Sequence, residues 1–396
     1  MKFIAKTLEG LESVLADELV YLGAKDIEIL KRAVAFTGDK LLLYKSNLFL
    51  RTCLKVLVFM KEFTVTNESD FYLEIKKIPW EDFFDLNDTF AIDSVVNSSK
   101  FRHANYIALK AKDAIVDRFR DKYGSRPNVE TQNPDIKINI HIREDIVTVS
   151  LDSSGASLHM RGYRKAQVDA PLSEVMAAGL ILLSGWDKKS TMIDPMCGSG
   201  TILCEAALIA GNLPPQKLNR NFAFKKWKDF DSELWEIVCK DAEFSAKKEL
   251  IPTLLGFDKQ KTAIHSAITN IFEAGLADYI KVEQEDFFYH EGANGVTLIF
   301  NPPYDERLKE NEILDFYKFI GDKLKLSFQE CSAWILSGHI EAIKNVGLRP
   351  SRRIAMLNGS IPSLYCRYDM YKGSKKLKWQ GQIILENDNS EVDETM

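Results

Sequence analysis

The chain has 396 residues, 45% of them hydrophobic and 28% charged, a composition typical of a soluble globular protein large enough for two or three hydrophobic cores. The net charge of −5 is unevenly distributed: the last 16 residues hold five acids and no base, whereas residues 101–165 hold 12 bases and 8 acids. A neutral body with one mildly basic stretch permits an RNA partner without demonstrating it, and residues 381–396 are predicted to be an acidic, disordered tail.

The sequence carries no feature of export or membrane insertion. No apolar signal-peptide core precedes Glu9, and the longest apolar run, residues 175–183, is about half the roughly 20 residues that span a bilayer. We therefore expect a cytoplasmic protein with no membrane partner. The cysteines show no C-x-x-C spacing and no nearby histidine, which indicates buried free thiols and no metal site; they are Cys53, Cys197, Cys204, Cys239, Cys331 and Cys366.

The N-terminal stretch has the pattern of a small α+β unit. It opens with a short strand, followed by a helix with one apolar face that carries Leu11, Leu15, Leu19 and Leu22. Thr7 is expected to cap the start of this helix and Gly23 its end. Two alternating segments, around 27–30 and 33–36, predict further strands.

A second mixed region follows, from about residue 50 to 155. Its apolar spacing predicts a helix within residues 106–124, and an alternating pattern predicts two strands that turn at Arg143–Asp145. The basic residues of this region are candidate RNA contacts, and we expect the last three to lie near one another on the helix: Arg102, Lys112, Arg118 and Arg120. On charge alone, an ordinary solvated helix face is favoured.

After about residue 171, helices alternate with short apolar strands that each end in polar residues. This order is typical of a doubly wound parallel sheet, whose ligand lies beyond the carboxyl ends of the strands. The first of these strand ends, IDPMCGSGT, combines Asp194 with a turn at Gly198 and Gly200 and a helix from Thr201. It lacks the Gly-Lys-Ser/Thr of a phosphate-binding loop and the third glycine of a dinucleotide fingerprint. S-adenosylmethionine, which has an amino-acid end and a nucleoside end but no pyrophosphate, suits such a loop.

Two further strand ends carry acids. Asp258 in LLGFDKQ could accept hydrogen bonds from ribose hydroxyls, and Asp286 in VEQEDFF could accept one from an adenine amino group, with Phe287 beside the ring. Taken singly, either acid could instead cap the following helix. Because three polar strand ends lie at one edge of the sheet, helix capping alone is a much less convincing explanation for these acids.

The fourth strand ends in NPPY, residues 301–304. The Asn301 side-chain oxygen and the Pro302 carbonyl could accept hydrogen bonds from an exocyclic amine, so that its lone pair points at a methyl donor. Proline fixes its own φ and therefore holds that carbonyl in place. Tyr304 offers a face on which a base taken out of its stack could lie. Alone, the tetrapeptide could be a rigid turn.

Together, DPMCGSGT, GFD, EDFF and NPPY resemble the motifs of class I S-adenosylmethionine-dependent amino methyltransferases. With the N-terminal α+β region and SLDSSGASLHMRGYR, the sequence resembles the THUMP-domain RNA guanine-N2 methyltransferases that act on large-subunit ribosomal RNA. This resemblance implies a ferredoxin-like segment in residues 1–48, an RNA-binding THUMP domain in residues 49–157 and a linker in residues 158–175. It then implies a Rossmann-like α/β methyltransferase domain with a mostly parallel seven-stranded sheet in residues 176–380, followed by the acidic tail, residues 381–396.

The resemblance also implies residue roles. It assigns Asp194, Pro195, Gly198, Gly200 and Thr201 to the methionine end of the cofactor and its loop. Asp258 is assigned to the ribose, and Asp286 with Phe287 to the adenine. Asn301, Pro302 and Tyr304 are assigned to the target base, with Asn301 also near the cofactor. The RGYR segment, residues 161–164, resembles the family's linker, and its contacts stay open. Some relatives are fused to a second methyltransferase half that forms 7-methylguanine. For this sequence the resemblance implies only the first activity, methylation of guanine N2.

The predicted function is methylation of a guanine N2 amine in 23S ribosomal RNA, presented as naked RNA or as an assembly particle. Because NPPY also suits other planar amines, adenine-N6 methylation of nucleic acid and glutamine-amide methylation of protein remain alternatives. A non-catalytic RNA-binding assembly factor is the alternative of a different class. The aromatic residues of the insert 211–235 favour a packed cap over an RNA platform.

Overall fold

The computed structural model describes residues 1–101, 103–166, 171–303 and 310–372. Arg102, Tyr304 and the predicted tail lie outside these residues. From residue 1 to 152 the elements are β1 Lys2–Lys6, α1 Glu12–Tyr21, β2 Lys25–Leu30, β3 Ala33–Thr37, α2 Lys40–Phe49, β4 Lys55–Thr64, α3 Glu68–Lys77, β5 Thr89–Asn97, α4 Ala104–Tyr123, β6 Asn128–Val129, β7 Ile136–Arg143 and β8 Ile146–Asp152.

The later elements alternate helices and strands up to a final antiparallel hairpin. They are α5 Glu174–Ser184, β9 Met192–Asp194, α6 Thr201–Ala210, α7 Ser232–Ser245, β10 Leu254–Asp258, α8 Lys261–Glu273, β11 Ile280–Gln284, β12 Thr297–Phe300, α9 Glu310–Ser327, β13 Ser332–Ser337, β14 Arg352–Asn358 and β15 Ile361–Asp369. Within the described ranges, no helix is both long and apolar enough to cross a membrane. All six cysteines are free thiols, and five of them are buried.

The described residues form two compact units. The first contains Met1–Gly162, Ser173–Gly179 and Asn212–Lys247, and the second contains the remaining described residues. An eight-stranded sheet in the order β2-β3-β1-β4-β8-β7-β5-β6 organises the first unit. Strand β4 pairs antiparallel with both β1 and β8, so the sheet runs without a break across the boundary predicted at residues 48–49.

The N-terminal helix confirms the predicted apolar face but corrects its start. Leu11, Leu15 and Leu19 are fully buried, and Gly23 adopts φ 88° directly after the helix, where a left-handed residue ends it. Thr7 does not cap the helix, because α1 begins only at Glu12. The Thr7 hydroxyl instead donates to the Thr52 carbonyl at 2.6 Å. A buried hydroxyl thus finds its partner in a distant segment of the chain.

The aromatic insert packs into the first unit. Phe224 stacks on Tyr44 of α2 with ring centroids 4.5 Å apart, and Trp235 of α7 meets the same Tyr44 ring edge-on at 6.0 Å. Phe224 and Trp235 are both buried, as the packed-cap interpretation expects. The continuous range 176–380 that was predicted for the methyltransferase domain is therefore interrupted: residues 212–247 pack with the N-terminal region.

We expect Tyr44→Phe to lower the free energy of unfolding by about 1–2 kcal/mol. The buried Tyr44 hydroxyl accepts a hydrogen bond from the Asp231 backbone N–H at 3.0 Å, at the start of α7, and the substitution leaves that N–H without this partner. Urea denaturation followed by circular dichroism measures the change. Tyr21→Phe removes the hydroxyl of a tyrosine that is 83% exposed and should leave stability unchanged. Equal stability of both variants would contradict this role of Tyr44.

The second unit contains a seven-stranded sheet in the order β11-β10-β9-β12-β13-β15-β14. Strands β9 to β13 pair in parallel, and β15 is antiparallel to both β13 and β14. A mostly parallel seven-stranded sheet was predicted and is confirmed, and the structure adds that β14 and β15 form an antiparallel hairpin at its border. Because β9, β10, β11 and β12 are parallel, their carboxyl ends all meet at one edge of the sheet, the carboxyl edge.

Candidate active site

The loop after β9 forms the centre of the site. Asp194 ends the strand with 1% of its surface exposed, and its carboxylate accepts from the Met196 backbone N–H at 3.3 Å. Burial, together with the nearby charge of Asp258, raises the pKa of the Asp194 carboxyl well above its usual value. Gly198 and Gly200 have φ of 53° and 78°, so the turn needs residues without a Cβ. Helix α6 then begins at Thr201.

Glycines around this loop leave no room for side chains. A Cβ at Gly256, in β10 beside the loop, would lie 2.5 Å from Leu203 Cδ1 and 3.2 Å from Cys197 Cβ. A Cβ at Gly200 would lie 3.3 Å from Ala267 Cβ of α8. These close approaches hold the loop against the neighbouring strand and helix. Backbone N–H groups at the start of α6 can therefore be presented to a ligand in a fixed position.

Asp258 connects the ends of β9 and β10. Its carboxylate accepts from the Gly198 backbone N–H at 3.0 Å and from the Gln260 N–H at 2.9 Å. The side chain is partly exposed, and a carboxylate has about four acceptor positions, so lone pairs remain for a ligand's hydroxyl groups. This geometry fits a ribose acceptor that also fixes the glycine turn.

Asp286 and Phe287 differ in how well they fit their predicted roles. Asp286 lies two residues beyond the end of β11, partly exposed, and its carboxylate accepts from the Phe288 backbone N–H at 3.0 Å. Phe287 is 2% exposed and packs among phenylalanines, with ring centroids 5.8 Å from Phe328 and 5.9 Å from Phe300. The expectation that Phe287 lies beside an adenine ring does not fit this core position, because so little of its face is accessible.

Asn301 and Pro302 follow β12 directly. The pairing of Leu298 with Ile193 places the end of β12 beside the end of β9, so Asn301 lies at the same edge as Asp194. Asn301 is half-buried, Pro302 is buried and Pro303 is exposed. Tyr304, the fourth residue of the motif, is outside the described residues. Two adjacent strands thus bring the glycine turn and the proline-stiffened segment together.

Two buried polar residues that the sequence analysis did not single out support the site. Asn270 of α8 is 1% exposed; its amide nitrogen donates to the Ser199 carbonyl at 3.1 Å, and its oxygen accepts from the Lys165 N–H at 2.9 Å. Glu205 is fully buried in α6 and accepts from the Tyr163 hydroxyl at 3.0 Å. A polar residue on a largely apolar, buried helix face is the signal that could have identified both.

The RGYR segment contacts protein. Arg161 is 3% exposed and donates to the Leu158 and Arg51 carbonyls. Arg164 donates to the Leu172 carbonyl at 2.7 Å and to the Thr201 hydroxyl at 3.1 Å, at the start of α6. The linker therefore helps to hold the first turn of that helix.

The predicted RNA contacts on α4 do not form one cluster. A helix turns about 100° per residue, which separates Arg118 from both Lys112 and Arg120 around the axis. Arg118 makes a two-pronged ion pair with Glu81, both N···O distances being 2.7 Å, and this bond holds the pKa of the Glu81 carboxyl far below its usual range. Arg120 contacts Asp117 at 3.2 Å, and Lys112 contacts Asp113 at 2.7 Å. Arg118 thus ties α4 to the segment after α3.

The sheet order, the glycine turn after the first strand of the unit and the acids at the next strand ends define a class I S-adenosylmethionine-dependent methyltransferase. Residues 161–367 match the RMKL-like methyltransferase domain, residues 65–152 the THUMP domain and residues 2–57 the RlmL ferredoxin-like domain. The chain belongs to the RMKL-like methyltransferase family, whose cofactor is S-adenosylmethionine.

Similar proteins extend over most of the chain. A Synechocystis sp. protein, provisionally named an RNA methyltransferase, is 39% identical over 93% of this chain and 97% of its own length. The ribosomal RNA large subunit methyltransferase K/L of Syntrophotalea carbinolica is 35% identical over 93% of this chain. The match covers only 54% of that relative's own length. The crystal structure of SMU.472, a provisionally assigned methyltransferase in complex with SAH, superposes with a TM-score of 0.85 at 29% identity, covering 94% of this chain and 99% of that one.

Proposed function

We propose that this protein transfers a methyl group to the exocyclic N2 amine of a guanine in 23S ribosomal RNA. One observation carries the proposal: Asn301 and Pro302 follow β12 at the same sheet edge as Asp194 and Asp258. An amine-orienting segment and a cofactor-binding loop on adjacent strands suit methyl transfer to a planar amine.

The proposed chemistry depends on positioning. When bound, S-adenosylmethionine supplies an electrophilic methyl group on a sulfonium. The amine of a base is a poor nucleophile because its lone pair is delocalised into the ring. The Asn301 amide oxygen and the Pro302 carbonyl accept hydrogen bonds from the amine, which localises the lone pair and directs it. Tyr304 is proposed to stack on the extruded base.

The remaining site residues are proposed to hold the cofactor. Pro195, Gly198, Gly200 and Thr201 shape the loop around its methionine end. Asp194 fixes the start of this loop by accepting a hydrogen bond from the Met196 backbone N–H. Asp258 receives the ribose hydroxyls, and the Asp286 carboxylate receives the adenine amine. Phe287 would contribute through the core that supports this segment rather than through its ring face.

An RNA substrate is supported by the THUMP match over residues 65–152 and by the names of the two curated relatives. A large-subunit ribosomal RNA substrate is supported by the name of the K/L relative, about half of which this chain spans. Guanine N2 is supported by the resemblance of DPMCGSGT, GFD, EDFF and NPPY, together with the N-terminal region, to the guanine-N2 methyltransferases. The proposed partner is accordingly 23S RNA, free or in an assembly intermediate, and the proposed compartment is the cytoplasm. Arg102, Lys112 and Arg120 remain proposed RNA contacts, whereas Arg118 is engaged by Glu81.

The product of the reaction tests the proposal. Purified protein is incubated with isotopically labelled S-adenosylmethionine and, in separate reactions, protein-free 23S RNA and duplex DNA. Each product is digested to nucleosides, and the methylated base is identified by mass. We expect label in N2-methylguanosine from RNA and none from DNA.

Other products distinguish the alternatives, because the Asn-Pro-Pro segment suits any planar amine. N6-methyladenine would reassign the acceptor while preserving the roles of Asn301 and Pro302. Absence of product from RNA, DNA and ribosomal particles, combined with tight RNA binding, would favour a non-catalytic assembly factor. Labelled protein in a cell extract would favour a glutamine amide.

A further inference from the structure

The antiparallel hairpin that closes the second sheet is unusually basic. Residues 347–372 hold five bases and one acid, in a chain whose total charge is −5. Strand β14 is the outermost strand of the sheet, and it begins at the end opposite to the carboxyl edge. The positive charge is therefore concentrated at a border of the methyltransferase sheet that the proposed chemistry does not use.

Two arginines oppose each other within the hairpin. Arg352 of β14 pairs in register with Arg367 of β15. Arg367 is compensated: its Nε donates to Asp369 at 2.8 Å, and its guanidinium lies 5.9 Å from the centre of the Trp334 ring. Arg352 donates to the Leu183 carbonyl at 3.2 Å, at the end of α5. That bond fixes the side chain but neutralises no charge.

The neighbouring arginines are also exposed. Arg349 and Arg353 flank Arg352 in the sequence, and all three side chains belong to exposed residues. Among the described residues, none of these three side chains forms an ion pair with a carboxylate. We call Arg349, Arg352 and Arg353 the basic edge.

Protection of an edge strand explains only part of this arrangement. Charged side chains on an outer strand prevent pairing with a second sheet. Arg349 precedes the strand, however, so it cannot block strand pairing along β14. Exposed arginines without a carboxylate partner, in a segment of five bases and one acid, are better matched by an extended polyanion, because arginine suits phosphate oxygens in particular.

We propose that the basic edge binds the phosphate backbone of the RNA substrate, at a distance from the base that is methylated. The proposal rests on the proposed function. The seven residues of β14 span about 20 Å at roughly 3.3 Å per residue. RNA bound there would extend from the carboxyl edge along the hairpin for about six base pairs or more, at about 3.4 Å per base pair. These contacts would add affinity without reading sequence.

The test compares salt-dependent RNA binding of two charge-matched variants of the full chain. R349Q/R353Q removes two bases of the basic edge and retains Arg352, which bonds the α5 end. K281Q/K318Q removes two exposed bases of the same unit, on β11 at the opposite sheet edge and on α9. Affinity for a labelled RNA hairpin of about 30 base pairs is measured at several KCl concentrations between about 50 and 200 mM.

We expect R349Q/R353Q to bind about 10-fold more weakly near 100 mM salt and to lower the log–log salt slope by about 2, one unit for each lost phosphate contact. K281Q/K318Q should bind as the unaltered protein does, and R349K/R353K should restore most of the affinity. SAH binding should be unchanged in all variants. Equal salt slopes for the two glutamine variants would overturn the proposal while leaving N2-methylguanosine formation intact. Failure of the unaltered protein both to bind RNA and to methylate it would instead refute the proposed function, and this inference with it.

Discussion

Asn301→Ala is expected to lower the rate of methyl transfer by about 10²-fold or more, the scale on which an oriented hydrogen-bonding group contributes to catalysis. The physical reason is that the alanine variant has no side-chain acceptor for the amine, so the lone pair stays delocalised. Pro302 is buried, and its carbonyl should keep its position. Cofactor affinity should change little, because Asp258 and Asn270 hold the loop after β9.

Single-turnover rates with saturating cofactor, together with the dissociation constant of SAH, separate the two effects. Asn345→Ala is the matched control, since this asparagine lies exposed in the same unit, in the short helix after β13. Unchanged turnover in Asn301→Ala would refute the role assigned to the side chain. A parallel loss of SAH binding would reassign Asn301 from the amine to the cofactor.

Asp258→Ala is expected to weaken SAH binding by about 10²-fold. The variant lacks an ionised acceptor for the ribose hydroxyls, and hydrogen bonds to charged groups contribute about 1.5–3 kcal/mol each. It also releases the Gly198 N–H, which donates to this carboxylate at 3.0 Å, so the glycine turn loses a tether. Both consequences act on the bound cofactor, and isothermal titration with SAH measures their sum.

Asp187→Ala provides the control for this experiment. Asp187 is another aspartate of the same unit whose carboxylate accepts from two backbone N–H groups, but it lies in the loop before β9, at the far end of the sheet. Its removal should leave SAH affinity unchanged. If both variants lost affinity equally, general destabilisation rather than loss of the ribose contact would be the cause, and thermal unfolding of each would show it.

Local patterns in the sequence were sufficient for the elements that position the site. The alternation of short apolar strands and helices predicted the parallel sheet, because strands buried on both faces must be apolar throughout. Leu11, Leu15 and Leu19, in and just before α1, recur at the helical period and are fully buried. The polar residues that end β9, β10 and β12 could be assigned to one edge, since parallel strands share their direction.

Contacts between distant residues could not be predicted in this way. The Thr7 hydroxyl donates to the Thr52 carbonyl, 45 residues away, and Arg118 pairs with Glu81. Because both partners are distant in the chain, the sequence around Thr7 does not show that it fails to cap α1, and the sequence around Arg118 does not show its ion pair. Phe287 was expected at the cofactor because it follows Asp286, but it lies in a turn after β11 and its ring packs in the core against Phe328. Asn270 supports the glycine turn from the middle of a helix.

By itself, the sequence determined the class of fold, the order of the strand-end motifs and the family, because these depend on periodicity and on short contiguous segments. The tertiary structure decided that the insert packs with Tyr44 of the first unit, that β4 joins the two parts of the first sheet, and that the arginines of β14 lie at an outer strand. Burial, pairing and ion-pair partners are properties of residues brought together from far apart in the chain, and only folding fixes which of them meet.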